Sequence, residues 1–556
     1  MITPQKFFHL TFAITTLSSL SIKTEAAYAS PKAYVRTSSD LCPQEKDFLI
    51  QRLPRIKDSL QTALNMQLND NQVPRIALCA SGGGFRAMVA TLGWLQGDAV
   101  QVKGTQSTNN KKSLRGLSEY LLATLSSWFG WEANEFTPNT LPLESEPLNL
   151  RDLCTHFSSL SGSTWALAGL TYSHMTPAHY LAHITPKIAQ GKFDNLNMED
   201  LVVEILKKER SGQPVSFIDI YGIIIAQKLL ADLGDGQPSS IDLDTYSTAA
   251  LAMQNPLPIQ TSVIGNDDSN YHWVEFTPYE VGCAYLEAFV PTWAYGRTFN
   301  AGISTNFAPA QSLSFCMGTW GSAMAIDMKD FFNLVIDPEL GTINASNLEA
   351  KFGSLTASGA TLLTKIEQEA HKRNANIKAD PLLDKRISPA QVFNWVHSLK
   401  NTPLHTDKLL TLIDGGIDCN LPVQPLLRPE RAVDIIIILD ASAGIFGSEL
   451  HNAQAHAQKW GYPFPAIDYT TINQPCSVHW DRSNAQAPIV IYMPLIKNSN
   501  YNNGWDPYGA DFTSTYNFTY SVQQTALLGG LTSYNMAQSM PLILDTITQW
   551  IATKNS

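Results

Sequence analysis

The sequence predicts an α/β fold of three layers, with helices covering both faces of a central, mainly parallel sheet. Three observations predict it. The runs VDIIIILD (433–440) and PIVIYMPLI (488–496) are continuously apolar, as parallel strands buried on both faces must be. RIALC (75–79) and the start of CTHFSSLSGSTWALAGLTYSH (154–174) read as strands that break at small-residue turns and run into helices. Strands alternating with helices place ligand sites at the carboxyl ends of the strands.

Taken in order, residues 1–29 read as a signal peptide: Lys6, the apolar run FFHLTFAITTLSSLSI, then AYA ending at Ala29 as a small-residue cleavage site. This predicts a secreted or periplasmic protein whose residues 30–556 form one domain. No later stretch reaches membrane-spanning length without charges. Residues 40–65 carry apolar side chains at helical spacing and predict an amphipathic surface helix. After RIALC comes the turn SGGG, then a helix from Phe85 to about Leu95. Residues 98–150 read as an insertion, polar at first and then punctuated by prolines. Within it LSEYLLATLSSWFGW (117–131) has a helical apolar stripe ending in aromatics, either a membrane-docking helix or one packed on the core. KLLTLIDGGIDCNLP (408–422) is a third strand breaking at glycines.

Composition excludes several classes of function. Charged residues are 16% of the chain and the net charge is −11 with no basic stripe, which argues against nucleic-acid binding. The seven cysteines are scattered, too few for a disulfide framework, and show no CxxC spacing, so neither a metal site nor a cofactor is expected. Cys79 and Cys154 sit in apolar contexts and read as buried small hydrophobes.

Chemistry concentrates at the three turns. A serine between strand and helix presents its hydroxyl, and the helix N-terminus behind it favours developing negative charge, so Ser161 in SLSGS is the candidate nucleophile. The G-x-S-x-G pattern itself is not met, because Ser159 and Ser163 hold the outer positions. The glycines of ASGGGFRAM suit backbone N–H donors for an oxyanion. They match neither a phosphate loop nor a dinucleotide fingerprint, lacking both the Gly-Lys-Ser/Thr ending and G-x-G-x-x-G. Arg86 reads either as an anion-binding residue or as half of a structural salt bridge. Asp414 ends an apolar strand at a Gly-Gly turn and is the better candidate base. His451, His456 and His479 are the only histidines that follow it in the order Ser, Asp, His of an α/β-hydrolase.

Together SGGGFRAM, LSGSTW, VEFTPYEVG (274–282), FCMGTWGSA (315–323) and LIDGGIDCNLPVQPLLRPERAVDIIIILD (412–440) resemble, in order, the catalytic domain of group IV cytosolic phospholipase A2 and the related fungal phospholipase B enzymes. The resemblance runs from near residue 40 to near 535. It implies a patatin-like acyl hydrolase fold and a Ser-Asp dyad without histidine. Carried over by motif, Ser161 is the nucleophile, Asp414 the base, Gly83 and Gly84 the oxyanion donors and Arg86 the contact to substrate phosphate. Arg431 falls on the second arginine of the family's RPQRG stretch and is assigned to substrate binding. The implied substrate is a phospholipid or lysophospholipid at a membrane surface. No calcium-binding C2 domain precedes the catalytic region, so calcium-driven docking is not expected. Two other readings stay open: a Ser-His-Asp esterase or lipase on neutral lipids, and an inactive lipid-binding effector.

Overall fold

A computed structural model describes residues 31–100, 148–190, 197–233, 238–252, 255–265, 270–322, 390–443, 446–515 and 517–554. The leader and the stripe at 117–131 lie outside the described residues. The strands in chain order are β1 (Arg36–Thr37), β2 (Ile76–Ala80), β3 (Cys154–Ser159), β4 (Leu257–Ile264), β5 (His272–Phe276), β6 (Glu280–Cys283) and β7 (Ala288–Pro291). After the short hairpin β8 (Phe299–Asn300) and β9 (Ile303–Ser304) come β10 (Ala390–Phe393), β11 (Leu409–Ile413), β12 (Ile435–Asp440), β13 (Ser477–His479) and β14 (Ile489–Pro494). The helices that matter for the site are α1 (Pro43–Leu64), α2 (Gly84–Gln96), α3 (Gly162–Ser173), α4 (Phe217–Leu229), α5 (Leu313–Trp320), α6 (Ser448–Lys459) and α7 (Val522–Ala552).

Among the described residues, twelve strands form one sheet in the order β1-β7-β6-β5-β4-β3-β2-β12-β14-β13, with β11 joining β4 and β10 joining β11. Its centre, β4-β3-β2-β12-β14, is parallel, and the flanking strands are antiparallel. The expected three-layer α/β fold is therefore the observed one. The run IIIILD explains why: Ile435, Ile437 and Leu439 join one buried cluster while Ile436 and Ile438 join the other. Period-two alternation thus feeds both helical layers from a single strand. Each fully buried isoleucine contributes roughly 1.5–3 kcal/mol relative to exposure.

Helices α2, α3 and α7 cover one face, with Val89, Trp94, Leu528 and Leu531 in the shared core. Helix α6 covers the other through Leu450, Ala453 and Ala457. Helix α1 starts at Pro43 behind Cys42, whose Sγ accepts from the Glu45 N–H, and closes at Asn65 in the left-handed region. It buries Leu49, Ile56 and Leu60 as the spacing predicts, and also Glu45 and Arg52. The ends of the 98–150 insertion meet: Val100 N–H donates to Leu148 O at 2.7 Å, beside an Ala99–Asn149 bridge. All seven cysteines are free and buried, Cys79 and Cys154 as small core residues. No described helix is long and apolar enough to cross a membrane.

Candidate active site

The parallel strands β2, β3 and β12 point their carboxyl ends the same way, and the glycine turn, Ser161 and Ala441 follow those ends. Strand β11 brings the fourth part. β3 pairs in parallel with the first half of β4, placing Ser159 opposite Gln260, and β11 pairs antiparallel with the second half, placing Ile413 opposite Val263. Both use the same edge of β4, because β5 occupies the other. The ends of β3 and β11, at Ser159 and Ile413, therefore meet along that edge with only Thr261 and Ser262 between their partners.

Ser161 sits at φ 49, ψ −124, between β3 and α3. Such a conformation in a non-glycine residue costs of order 1–3 kcal/mol and must be held by its surroundings. Its N–H donates to Trp320 O at 3.2 Å, and its carbonyl accepts from Thr164 N–H at 2.8 Å and from Thr164 Oγ1. Gly162 follows it because nothing larger fits: a Cβ there would lie 1.9 Å from Gly84 O. Ser159 stays in β3 with negative φ, so the strained position is the serine at 161 rather than the one at 159.

The glycine turn lies directly against this serine. A Cβ on Gly82 would stand 2.8 Å from Ser161 Cβ. Gly83, at φ 135, is the N-cap of α2, which begins at Gly84. The first N–H groups of a helix have no intrahelical acceptor, so this turn offers donors beside the Ser161 hydroxyl. The first turn of α3 is pinned to it, since Ser163 Oγ donates to Ser81 O at 2.5 Å.

Asp414 is fully buried, with its N–H donating to Ser322 Oγ at 3.3 Å and its Oδ1 accepting from Gly416 N–H at 2.9 Å. Its charge is felt nearby: burial, and then the Asp414 carboxylate, push the Tyr221 hydroxyl well above the usual tyrosine range. That hydroxyl, on α4, is buried without a hydrogen-bond partner among the described residues. Asn420 links the two loops. Its Nδ2 donates to Gly82 O at 3.1 Å and to Ser442 Oγ at 2.6 Å, and its carbonyl accepts from Gly82 N–H at 3.3 Å. Sequence reasoning missed Asn420, Ser322 and Tyr221. The first two lie inside quoted motifs, which was the available signal; Tyr221 lies in none.

Arg86 is 2% exposed, and burial lowers its pKa. Nε donates to Ala441 O at 2.8 Å, and Nη1 to Thr513 O at 2.7 Å and Thr515 Oγ1 at 3.1 Å. Among the described residues Nη2 has no hydrogen-bond partner, and it lies against Gly83, where a Cβ would be 2.5 Å away. Arg431 is not brought to this site. It precedes β12, at the end of the sheet opposite Ser161, bonded to Glu45 at 2.8 Å and Glu275 at 2.8 Å. Of the histidines, His451 lies beside Tyr469, His456 faces Asp418 at 3.4 Å, and His479 bonds to Ser477 and to the Asp468 N–H. No group of three or more potential metal ligands occurs among the described residues.

Known proteins resemble this chain over most of its length. The family described as the lysophospholipase catalytic domain matches residues 150–460. Mouse (Mus musculus) cytosolic phospholipase A2 delta is 26% identical over 592 residues, covering 95% of this chain and 64% of its own length. Human (Homo sapiens) cytosolic phospholipase A2 zeta is 26% identical over 596 residues, covering 94% of this chain and 62% of its own. The chain thus spans less than two thirds of these relatives. The structure of human GIVD cytosolic phospholipase A2 superposes with a TM-score of 0.67 at 20% identity, over 93% of this chain and 68% of that one, which bears on fold alone. These relatives are cytosolic proteins, and that overturns the expectation of a secreted or periplasmic protein with a leader cleaved after Ala29. Lys23 and Glu25, charges between the apolar run and AYA, are where that segment departs from the secretory pattern. With the family matched over more than half its length, the chain belongs to the lysophospholipase catalytic domain family.

Proposed function

We propose that this chain is a serine acyl hydrolase of glycerophospholipids or lysophospholipids, working through an acyl-enzyme on Ser161 with Asp414 as its base. Asp414 accepts the Ser161 proton as Oγ attacks the ester carbonyl. The oxyanion is received by N–H groups of Gly83 and Gly84. The intermediate collapses, the glycerol oxygen leaves with the proton from Asp414, and the acyl group stays on Oγ. Water then attacks the acyl-enzyme, giving its proton to Asp414, and fatty acid departs as Ser161 recovers its hydrogen. Arg86 Nη2, unpaired beside Gly83, takes the substrate phosphate.

The observation that carries this reading is the convergence of two strands on one edge of β4, which aims a strained serine and a buried aspartate at the same point under a glycine turn. A histidine-assisted mechanism draws no support from the contacts of His451, His456 and His479. The test is a fluorophosphonate probe followed by peptide mapping. Labelling at Ser161, lost together with phospholipid hydrolysis in Ser161→Ala, is expected. Full hydrolysis by Ser161→Ala would overturn the assignment.

A further inference from the structure

A cavity adjoins the proposed phosphate position. It measures about 240 Å³, counting the part open to solvent, and is lined by Asp440, Ser442, Phe446, Glu449, Tyr492 and Tyr508 among others. Two chain segments build both this cavity and the seat of Arg86. Residues 440–442 give Asp440 and Ser442 to the cavity and Ala441 O to Arg86 Nε. The loop around 507–515 gives Tyr508 to the cavity, while Thr513 and Thr515 hold Arg86 Nη1. Ser442 closes the loop toward the site, accepting from Asn420 Nδ2 at 2.6 Å and, through its carbonyl, from the Tyr508 hydroxyl at 2.8 Å.

The carboxylates of this cavity are held by neutral donors. Asp440 Oδ1 accepts from Ser442 N–H at 2.9 Å and Oδ2 from the Tyr492 hydroxyl at 2.7 Å. Glu449 accepts from Asn420 N–H at 2.7 Å and Asn452 Nδ2 at 3.1 Å. All four donors are neutral, and among the described residues neither carboxylate has a lysine or arginine partner. Burial, with a smaller push from Asp440, raises the Glu449 pKa, as two like charges in one partly dry space require. Three aromatic rings share the space: Tyr492 at the base, and Tyr508 and Phe446 more than a third exposed at the mouth. Paired carboxylates call for a cation, and aromatic faces select an organic, weakly hydrated one.

We infer that this cavity takes the quaternary ammonium of a phosphocholine head group whose phosphate lies on Arg86 Nη2. The inference rests on the phospholipid reading above and deepens it. Opposite charges of one head group then meet opposite charges of the protein: the buried, unpaired guanidinium nitrogen on one side of Ala441 and the acidic aromatic cavity on the other.

Two measurements test it. The first compares kcat/KM for lysophosphatidylcholine and lysophosphatidic acid of one acyl chain below their micellar concentrations. The choline substrate should be favoured about tenfold, as roughly 1–2 kcal/mol of cation–π and charge attraction implies. Phe446→Ser and Glu449→Gln should each bring that ratio towards one. The second titrates phosphocholine, and separately inorganic phosphate, into Ser161→Ala protein by calorimetry, a readout independent of hydrolysis. Phosphocholine should bind about tenfold more tightly than phosphate, and Glu449→Gln should erase the difference. Equal affinities, or a preference that survives both cavity variants in folded protein, would overturn the inference. Selective phosphocholine binding by a protein that hydrolyses neither lipid would sustain the cavity and refute the hydrolase.

Discussion

Replacing Arg431 with methionine separates a structural arginine from one that serves substrate. Arg431 is 1% exposed and donates from Nε and Nη2 to Glu45 at 2.8 and 3.2 Å, and from Nη1 to Pro425 O at 2.7 Å, with Glu275 2.8 Å from Nη1. After the change Glu275 keeps Arg428, which donates to both its oxygens at 3.1 and 3.0 Å. Glu45 keeps only His156 at 3.2 Å, and burial lowers that imidazole's pKa and so favours its neutral form. One buried carboxylate is left uncompensated, which costs about 3–5 kcal/mol. The sign with pH follows from Glu45. Burial alone would raise its pKa, but Arg431 and His156 outweigh burial and hold it well below the usual carboxylate range. Its contribution is therefore fully present above the unfolded value of about 4.3 and is lost as pH falls below it. Urea denaturation followed by tryptophan fluorescence should show the full gap between wild type and Arg431→Met at pH 7, narrowing below about pH 4. Glu45→Gln in the same background should recover part of the loss, with a coupling of roughly 0.5–3 kcal/mol. A variant as stable as wild type but unable to hydrolyse phospholipid would refute the structural account and return Arg431 to substrate binding.

Three further outcomes are expected. Gly162→Ala drives a methyl into Gly84 O and should cost about 1–3 kcal/mol of stability while lowering hydrolysis far more, read by melting and turnover together. Asp414→Asn should lose roughly 10²–10⁴-fold in kcat, while His451→Ala and His479→Ala keep most activity; a dead, folded histidine variant would favour the triad. Arg86→Lys should depress turnover of phospholipid more than of p-nitrophenyl butyrate, because the planar fork matters only where phosphate is present, and equal losses would mark a purely structural arginine.

Apolar runs and breaking turns made the parallel centre of the sheet legible. RIALC (75–79), VDIIIILD (433–440) and PIVIYMPLI (488–496) contain β2, β12 and β14 to within about two residues at each end, and CTHFSSLSGSTWALAGLTYSH (154–174) opens with β3, whereas β4, the fifth parallel strand, was not foreseen. The antiparallel flank was not separated from its motif, since VEFTPYEVG holds parts of β5 and β6 around a turn and its pairing is set by partners elsewhere in the chain. Helix α1 shows the limit of periodicity. Its apolar stripe predicted which face turns inward, but Glu45 is buried there against Arg431 and His156, 386 and 111 positions away. The turns bearing Ser161, the glycines and Asp414 were recognisable by small residues after strands. Their meeting depends on β3 and β11 sharing one edge of β4, a long-range register that no local pattern encodes. Asn420 was invisible as a clamp for the same reason.

The position of β12 sets the order in which the molecule can be made. It lies between β2 and β14, so residues 76–80 find their central neighbour only after residues 435–440 have been synthesised. Until then β2 has one bare edge of unpaired N–H and C=O groups flanked by apolar side chains, a template for the wrong strand. The same delay withholds Ala441 from Arg86. A nascent chain therefore carries Ser161 for some 250 residues before Asp414 is added. Relief from aggregation arrives when the last central strands, β12 and β14, close the sheet.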